Sequence, residues 1–165
     1  MTARVGDFGL AKFKVDSAAP SSGGSYTTSS VAINGTIGYV APECAEGGQI
    51  STASDVYSFG IILLEIFLRK RPTDDMFKDG VGIAKYVEMN FPTGISEIVD
   101  PELLQDRPEF HQETIVAINA KDLNCLVSVL NIGLFCTKLS PNERPNMQEV
   151  AARLHRIKAA YIRGN

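Results

Sequence analysis

Apolar residues crowd one stretch of this chain. From position 56 to 68 the sequence V-Y-S-F-G-I-I-L-L-E-I-F-L is apolar on nearly every side of a helix. Such a helix has no solvent face to present and is predicted to be buried all round, as the central post of a helical lobe. The group Ser51-Thr52-Ala53-Ser54-Asp55 ahead of it is rich in capping residues. Arg69-Lys70-Arg71 then puts positive charge at the helix C-terminus, with Pro72 as a stop. Residues 82–90 recur at helical period, with Ile83, Tyr86, Val87 and Met89 on one side, and Phe91-Pro92 ends them. The stretch 95–100 before Pro101 predicts no regular element. A further helix is predicted over 120–138, where Leu123, Leu126, Val127, Leu130, Leu134 and Phe135 follow i, i+3, i+4 spacing, and S-P-N-E-R-P breaks it. The last helix, 147–161, aligns Val150, Leu154, Ile157 and Tyr161. No internal repeat and no strand-rich region interrupts the pattern, so the fold class is mainly α.

Composition changes this picture by exclusion. The chain is 44% hydrophobic and 21% charged with a formal charge of -3, which gives no electrostatic footprint for nucleic acid. The apolar run at 56–68 is short of the about 20 residues needed to span a bilayer and contains Glu65. Cys44, Cys125 and Cys136 are odd in number and lack C-x-x-C spacing, which argues against a disulfide framework or a zinc site. His111 and His155 are isolated and read as surface residues. The first six residues have no apolar core of a signal peptide. Reduced thiols and the absence of a leader together imply a cytoplasmic location. The sequon Asn34-Gly35-Thr36 is read as chance.

Residues 14–30, K-V-D-S-A-A-P-S-S-G-G-S-Y-T-T-S-S, are small, polar and interrupted by Gly and Pro, and predict a mobile loop. Short motifs flank it. Asp7-Phe8-Gly9 stands before the loop and G-T-I-G-Y-V-A-P-E covers 35–43 after it. S-D-V-Y-S-F-G-I-I-L-L-E-I follows at 54–66, and Arg144 lies in N-E-R-P-N-M. A lone D-F-G is a common tripeptide, but these elements in this order form a specific signature. From Thr2 to about Lys158 the chain resembles plant leucine-rich-repeat receptor-like serine/threonine protein kinases, over the C-terminal part of the kinase domain. R-K-R-P-T-D-D-M-F at 69–77 and E-I-V-D-P-E-L-L at 97–104 carry the subfamily likeness.

The resemblance implies a partial protein kinase domain across 1–165: an activation segment at 7–43 heading a helical C-lobe at 44–160, with no N-lobe. It also implies roles. Asp7 would ligate the magnesium that accompanies ATP, while Phe8 and Gly9 would form the regulatory switch. Thr36, Gly38, Tyr39 and Val40 would receive the protein substrate. Glu43 and Arg144 would form a buried ion pair, and Asp55 would hold the backbone of a catalytic loop. Ile62 and Ile66 would anchor the apolar stack that runs towards adenine. Cys44 stands where the subfamily more often has an aromatic residue. Ser25, Thr27, Thr28, Ser29 and Ser30 are candidate phosphoacceptors in the mobile loop.

Only six residues precede Asp7, whereas the Gly-rich loop, the strand lysine and the H-R-D loop of kinases come earlier in the chain than D-F-G. Hence ATP and Mg2+ are expected to serve the full kinase, the chain alone is not expected to bind them, and it is expected to be inactive by itself. Its partners would be protein substrates or a full-length receptor-like kinase, whose parent receptor lies at the plasma membrane. A non-catalytic docking or phosphoacceptor module, or a gene fragment without selected function, are the alternatives. With one side of the 56–68 helix lacking its usual cover, the isolated chain is also expected to be marginally stable and adhesive.

Overall fold

A computed structural model describes residues 4, 6, 11, 35–47, 50–77, 80–104 and 120–163. The chain divides into two units, Met1–Asn34 and Gly35–Asn165. Within the first, only Arg4, Gly6 and Ala11 are described. Asp7, Phe8, Gly9 and the loop hydroxyls Ser25, Thr27, Thr28, Ser29 and Ser30 lie outside the described residues, as does His111.

In the second unit the described elements are helices, with no strand among the described residues. A one-turn helix α1 (Pro42–Ala45) precedes the long α2 (Thr52–Leu68). Then come α3 (Ile83–Asn90), the single turn α4 (Ile95–Ile98), α5 (Ala120–Cys136) and α6 (Met147–Arg163). Helix α2 begins ahead of its apolar run because Ser51 and Ser54 form a reciprocal capping box. The Ser54 backbone N–H donates to Ser51 Oγ at 3.3 Å and the Ser51 N–H donates to Ser54 Oγ at 3.2 Å. Its end is set by Arg69, which turns left-handed at φ 53°, three residues before Pro72.

Helices α2 and α5 cross at a pair of glycines. A Cβ on Gly60 would sit 2.6 Å from Cys136 Cβ, and one on Gly133 would sit 2.5 Å from Leu64 Cδ2. That approach lets each helix feed two apolar clusters. Ile61, Leu64 and Leu68 of α2 pack with Leu126 and Leu130 of α5 and with the buried faces of α3 and α4. On the other side Val56 and Leu63 meet Val129, Ile132 and Cys136, with Val150 of α6.

Several sequence expectations are corrected. Helix α2 is not buried all round, because Ile62 is 44% and Ile66 62% exposed. With Asp55 and Phe59 they lie at i, i+4, i+7 and i+11, which is one stripe of an α-helix. Residues 95–98 are helical rather than irregular, since Ile95 and Ile98 at i, i+3 bury against α3. Met89 points to solvent, and Phe135 is exposed with the Arg153 guanidinium over its ring. Helix α5 ends at Cys136 and α6 continues to Arg163, where Tyr161 is held at its hydroxyl by Asp122 of α5 rather than by burial.

Candidate substrate-docking site

Residues 35–47 cross one side of α2, and each anchor has a local cause. The Tyr39 N–H donates to the Thr36 carbonyl at 3.0 Å, closing a turn around Ile37 and Gly38. Gly38 has φ 91° and lies against Pro72, whose Cγ is 3.0 Å from where a Cβ would stand. Glycine is therefore required there both for conformation and for space. Thr36 and Ile37 are exposed on this turn, and Val40 is half-buried.

Tyr39 fastens the turn to α2 at two points. Its hydroxyl donates to Glu65 Oε2 at 2.6 Å, and its carbonyl accepts from Ser58 Oγ at 2.7 Å. Burial, and then the Glu65 carboxylate that takes its hydrogen bond, push the phenol up to about 12. Ala41 is buried close by and is the extended residue that leads into α1.

Glu43, in α1, meets an arginine 101 residues away. Arg144 donates from Nη1 to Glu43 Oε1 at 2.7 Å and from Nη2 to Glu43 Oε2 at 2.8 Å. Its remaining N–H groups go to the carbonyls of Ala53 at 2.9 Å, Leu139 at 3.0 Å and Lys138 at 2.7 Å. Every donor of the guanidinium is thereby satisfied, which is what allows its side chain to be 0% exposed. The Tyr57 ring lies 5.0 Å from Arg144 Cζ. Ser54 Oγ also donates to Glu43 Oε1 at 3.2 Å, and Cys44 Sγ lies 3.1 Å from that hydroxyl. The Arg144 hydrogen bonds hold the Glu43 carboxyl below its ordinary range.

The structure thus brings Tyr39, Glu43 and Arg144 together around the start and flank of α2. Asp55, Ile62 and Ile66 lie on the exposed stripe of that helix. Sequence reasoning missed Ser54, Ser58 and Glu65 as anchors. They occupy i, i+4 and i+11 of α2, so they form a polar line along an otherwise apolar helix, and that line was the available signal. Among the described residues no three His, Cys, Asp or Glu side chains converge to hold a metal ion.

A capped central helix, with a Pro-Glu segment clamped to it by a distant buried arginine, is an arrangement suited to the helical lobe of a protein kinase. The chain belongs to the protein tyrosine and serine/threonine kinase family, whose model matches residues 1–154. It is 39% identical over 158 residues to the receptor kinase-like protein Xa21 of Oryza sativa subsp. japonica, covering 96% of this chain and 15% of that protein. It is 36% identical over 154 residues to the LRR receptor-like serine/threonine-protein kinase RGI2 of Arabidopsis thaliana, covering 93% and 12%. The leucine-rich repeat receptor-like protein kinase PEPR2 of Arabidopsis thaliana is 33% identical over 156 residues, covering 91% and 13%. The chain therefore spans about one seventh of the length of these relatives and corresponds to the C-terminal part of a receptor-like kinase domain.

Proposed function

We propose that residues 35–40 form the surface on which a serine/threonine kinase receives its protein substrate, within a domain that transfers phosphate from ATP to Ser or Thr hydroxyls in receptor-like signalling. The observation that carries this reading is the Glu43–Arg144 clamp. It fixes the end of the segment to the lobe, while Tyr39 fixes the middle to Ser58 and Glu65, so the turn bearing Thr36 and Gly38 is held at constant geometry. Positioning of this kind is what phosphoryl transfer asks of a protein, because the chemistry is chiefly alignment and charge stabilisation. Thr36 would help accept the acceptor residue, and Gly38, Tyr39 and Val40 would meet the residue that follows it. The segment 7–43 would be the activation segment, and 44–160 the lobe that carries it.

ATP with magnesium would supply the phosphoryl group. Asp7 would ligate that magnesium; it lies outside the described residues, and the described ones offer no ligand cluster. Phe8 and Gly9 would be the switch beside it, and the hydroxyls of Ser25, Thr27, Thr28, Ser29 and Ser30 the regulatory acceptors. Asp55 would hold a catalytic loop, with Ile62 and Ile66 supporting an apolar stack. No helix among the described residues is long and apolar enough to cross a membrane. The proposed location is the cytoplasmic side of a plasma-membrane receptor.

The test is a chimera in which this chain follows the N-terminal half of the Xa21 kinase domain, assayed with radiolabelled ATP on a Ser/Thr peptide library. Transfer to Ser or Thr that is lost in Asp7→Ala supports the reading, and the unfused chain is expected to give none. A folded chimera that transfers nothing, together with binding of full-length kinase to the unfused chain, would favour a non-catalytic docking module instead.

A further inference from the structure

Thr73 stands exposed on the turn after α2, preceded by three cations, Arg69, Lys70 and Arg71. None of the three lies within a helix, and Arg71 is exposed. The Arg71 N–H donates to Asp74 Oδ2 at 2.9 Å and the Asp74 N–H donates to the Arg71 carbonyl at 3.0 Å. That double closure makes a tight turn with Pro72 and Thr73 at its apex. Pro72 is half-buried under Gly38, and the Thr73 methyl lies 3.4 Å from where a Cβ on Gly38 would stand. The hydroxyl shares its carbon with that methyl, so a group attached to it would sit beside the docking turn.

We propose that Thr73 is a phosphoacceptor for a second kinase that reads the cations of Lys70 and Arg71, and that its phosphate resets the charge of the docking surface at Gly38. Recognition rests on charge: an enzyme with acidic subsites ahead of the acceptor selects hydroxyls preceded by Lys or Arg. By that criterion Ser25, Thr27, Thr28, Ser29 and Ser30 compete poorly, because residues 15–30 contain no Lys or Arg, and Ser17 has the single cation Lys14 ahead of it. In the transfer Thr73 Oγ1 bonds to the γ-phosphorus of ATP as the bond from that phosphorus to the bridging oxygen breaks. ADP leaves with the electron pair, and the hydroxyl proton passes to the carboxylate base of the modifying kinase. The product adds about -1.5 to -2 charge beside Tyr39, where Glu65 and Asp74 already oppose Arg71. The second half of the proposal rests on the docking role of residues 35–40. A substrate with a basic residue after its acceptor would then be favoured over an acidic one.

The whole 165-residue chain, incubated with ATP and a purified kinase selective for acceptors preceded by Arg or Lys, is expected to carry phosphate on Thr73 above any other hydroxyl, read by phosphopeptide mass spectrometry. Replacing both cations (Lys70→Ala, Arg71→Ala) is expected to lower incorporation at Thr73 by about tenfold, and Lys70→Arg with Arg71→Lys to restore it. An unmodified Thr73 beside modified loop residues, or equal labelling in the double variant, overturns the acceptor site. This arm uses the chain only as a substrate, so its outcome is independent of the docking reading. In the active chimera, Thr73→Glu is expected to raise the preference for a basic over an acidic residue after the acceptor by several-fold. An unchanged preference overturns the effect on docking.

Discussion

Replacing Arg144 by methionine would keep much of the side chain's volume but leave the Glu43 carboxylate with the Ser54 hydroxyl and its own backbone N–H in place of a cation, and the carbonyls of Ala53, Lys138 and Leu139 without the guanidinium. Loss of one partner of a buried pair costs about 3–5 kcal/mol. The lower end applies here, since the Glu43 side chain is 21% exposed and water can reach it. A denaturant melt of the chain should register this as a fall in midpoint with unchanged slope. Acid tests the same contact. The Glu43 pKa is depressed below its 4.5 reference, so its stabilisation is complete above that pH and is lost as pH falls through the lower folded value. Glu43→Gln should therefore flatten the acid limb of a stability profile. At the alkaline end the sign reverses. The Tyr39 phenol, raised from 10.0 to about 12, contributes stability that is whole below pH 10 and lost as pH rises towards 12, and Tyr39→Phe should remove that loss.

At the scale of elements, the crossing of α2 and α5 depends on two glycines that sequence rules count only as poor helix formers. Gly60→Ala would drive a methyl into Cys136 Cβ and within 3.0 Å of the Gly133 carbonyl, neither of which can easily move. Gly133→Ala meets the end of the Leu64 side chain, which can rotate. The expected cost of Gly60→Ala is about 1–3 kcal/mol, with Gly133→Ala costing less because the Leu64 side-chain end can give way; the about 0.8–1 kcal/mol of helix propensity that alanine regains applies to both. Thermal melts of the two variants give the order. Helix existence was legible here, since the apolar spacing of α2, α3, α5 and α6 placed each within a few residues of its observed bounds. Hidden from the pattern were the faces. Helix α5 buries Val129, Ile132 and Cys136 in addition to the stripe read from its sequence, because a helix between two neighbours needs two apolar faces and periodicity alone reports one. The turn at residues 95–98 was missed for the converse reason: its two isoleucines are too few to establish a period.

For the whole molecule, exposed Ile62 and Ile66, on one stripe with the half-buried Phe59, form an apolar surface that favours association. Ile62→Glu with Ile66→Glu should reduce concentration-dependent association in light scattering, while each change alters stability by no more than about 0.5 kcal/mol, the usual scale for surface positions. Leu64→Ala on the buried side of the same helix should instead cost about 2–5 kcal/mol. Of the candidate site, the motif residues were legible as letters, but their anchors were not. Glu65 reads as an interruption of an apolar run, and only folding brings it to the Tyr39 hydroxyl. The Glu43–Arg144 bond has a temporal corollary as well. Its two ends are 101 residues apart in the chain, so a nascent polypeptide emerging at about 5–20 residues per second must wait roughly 5–20 seconds after presenting one end before the ribosome releases the other. During that interval the segment ending at Glu43 is held to α2 by Tyr39 alone, and a chaperone or protease would meet its unclamped end before any substrate could.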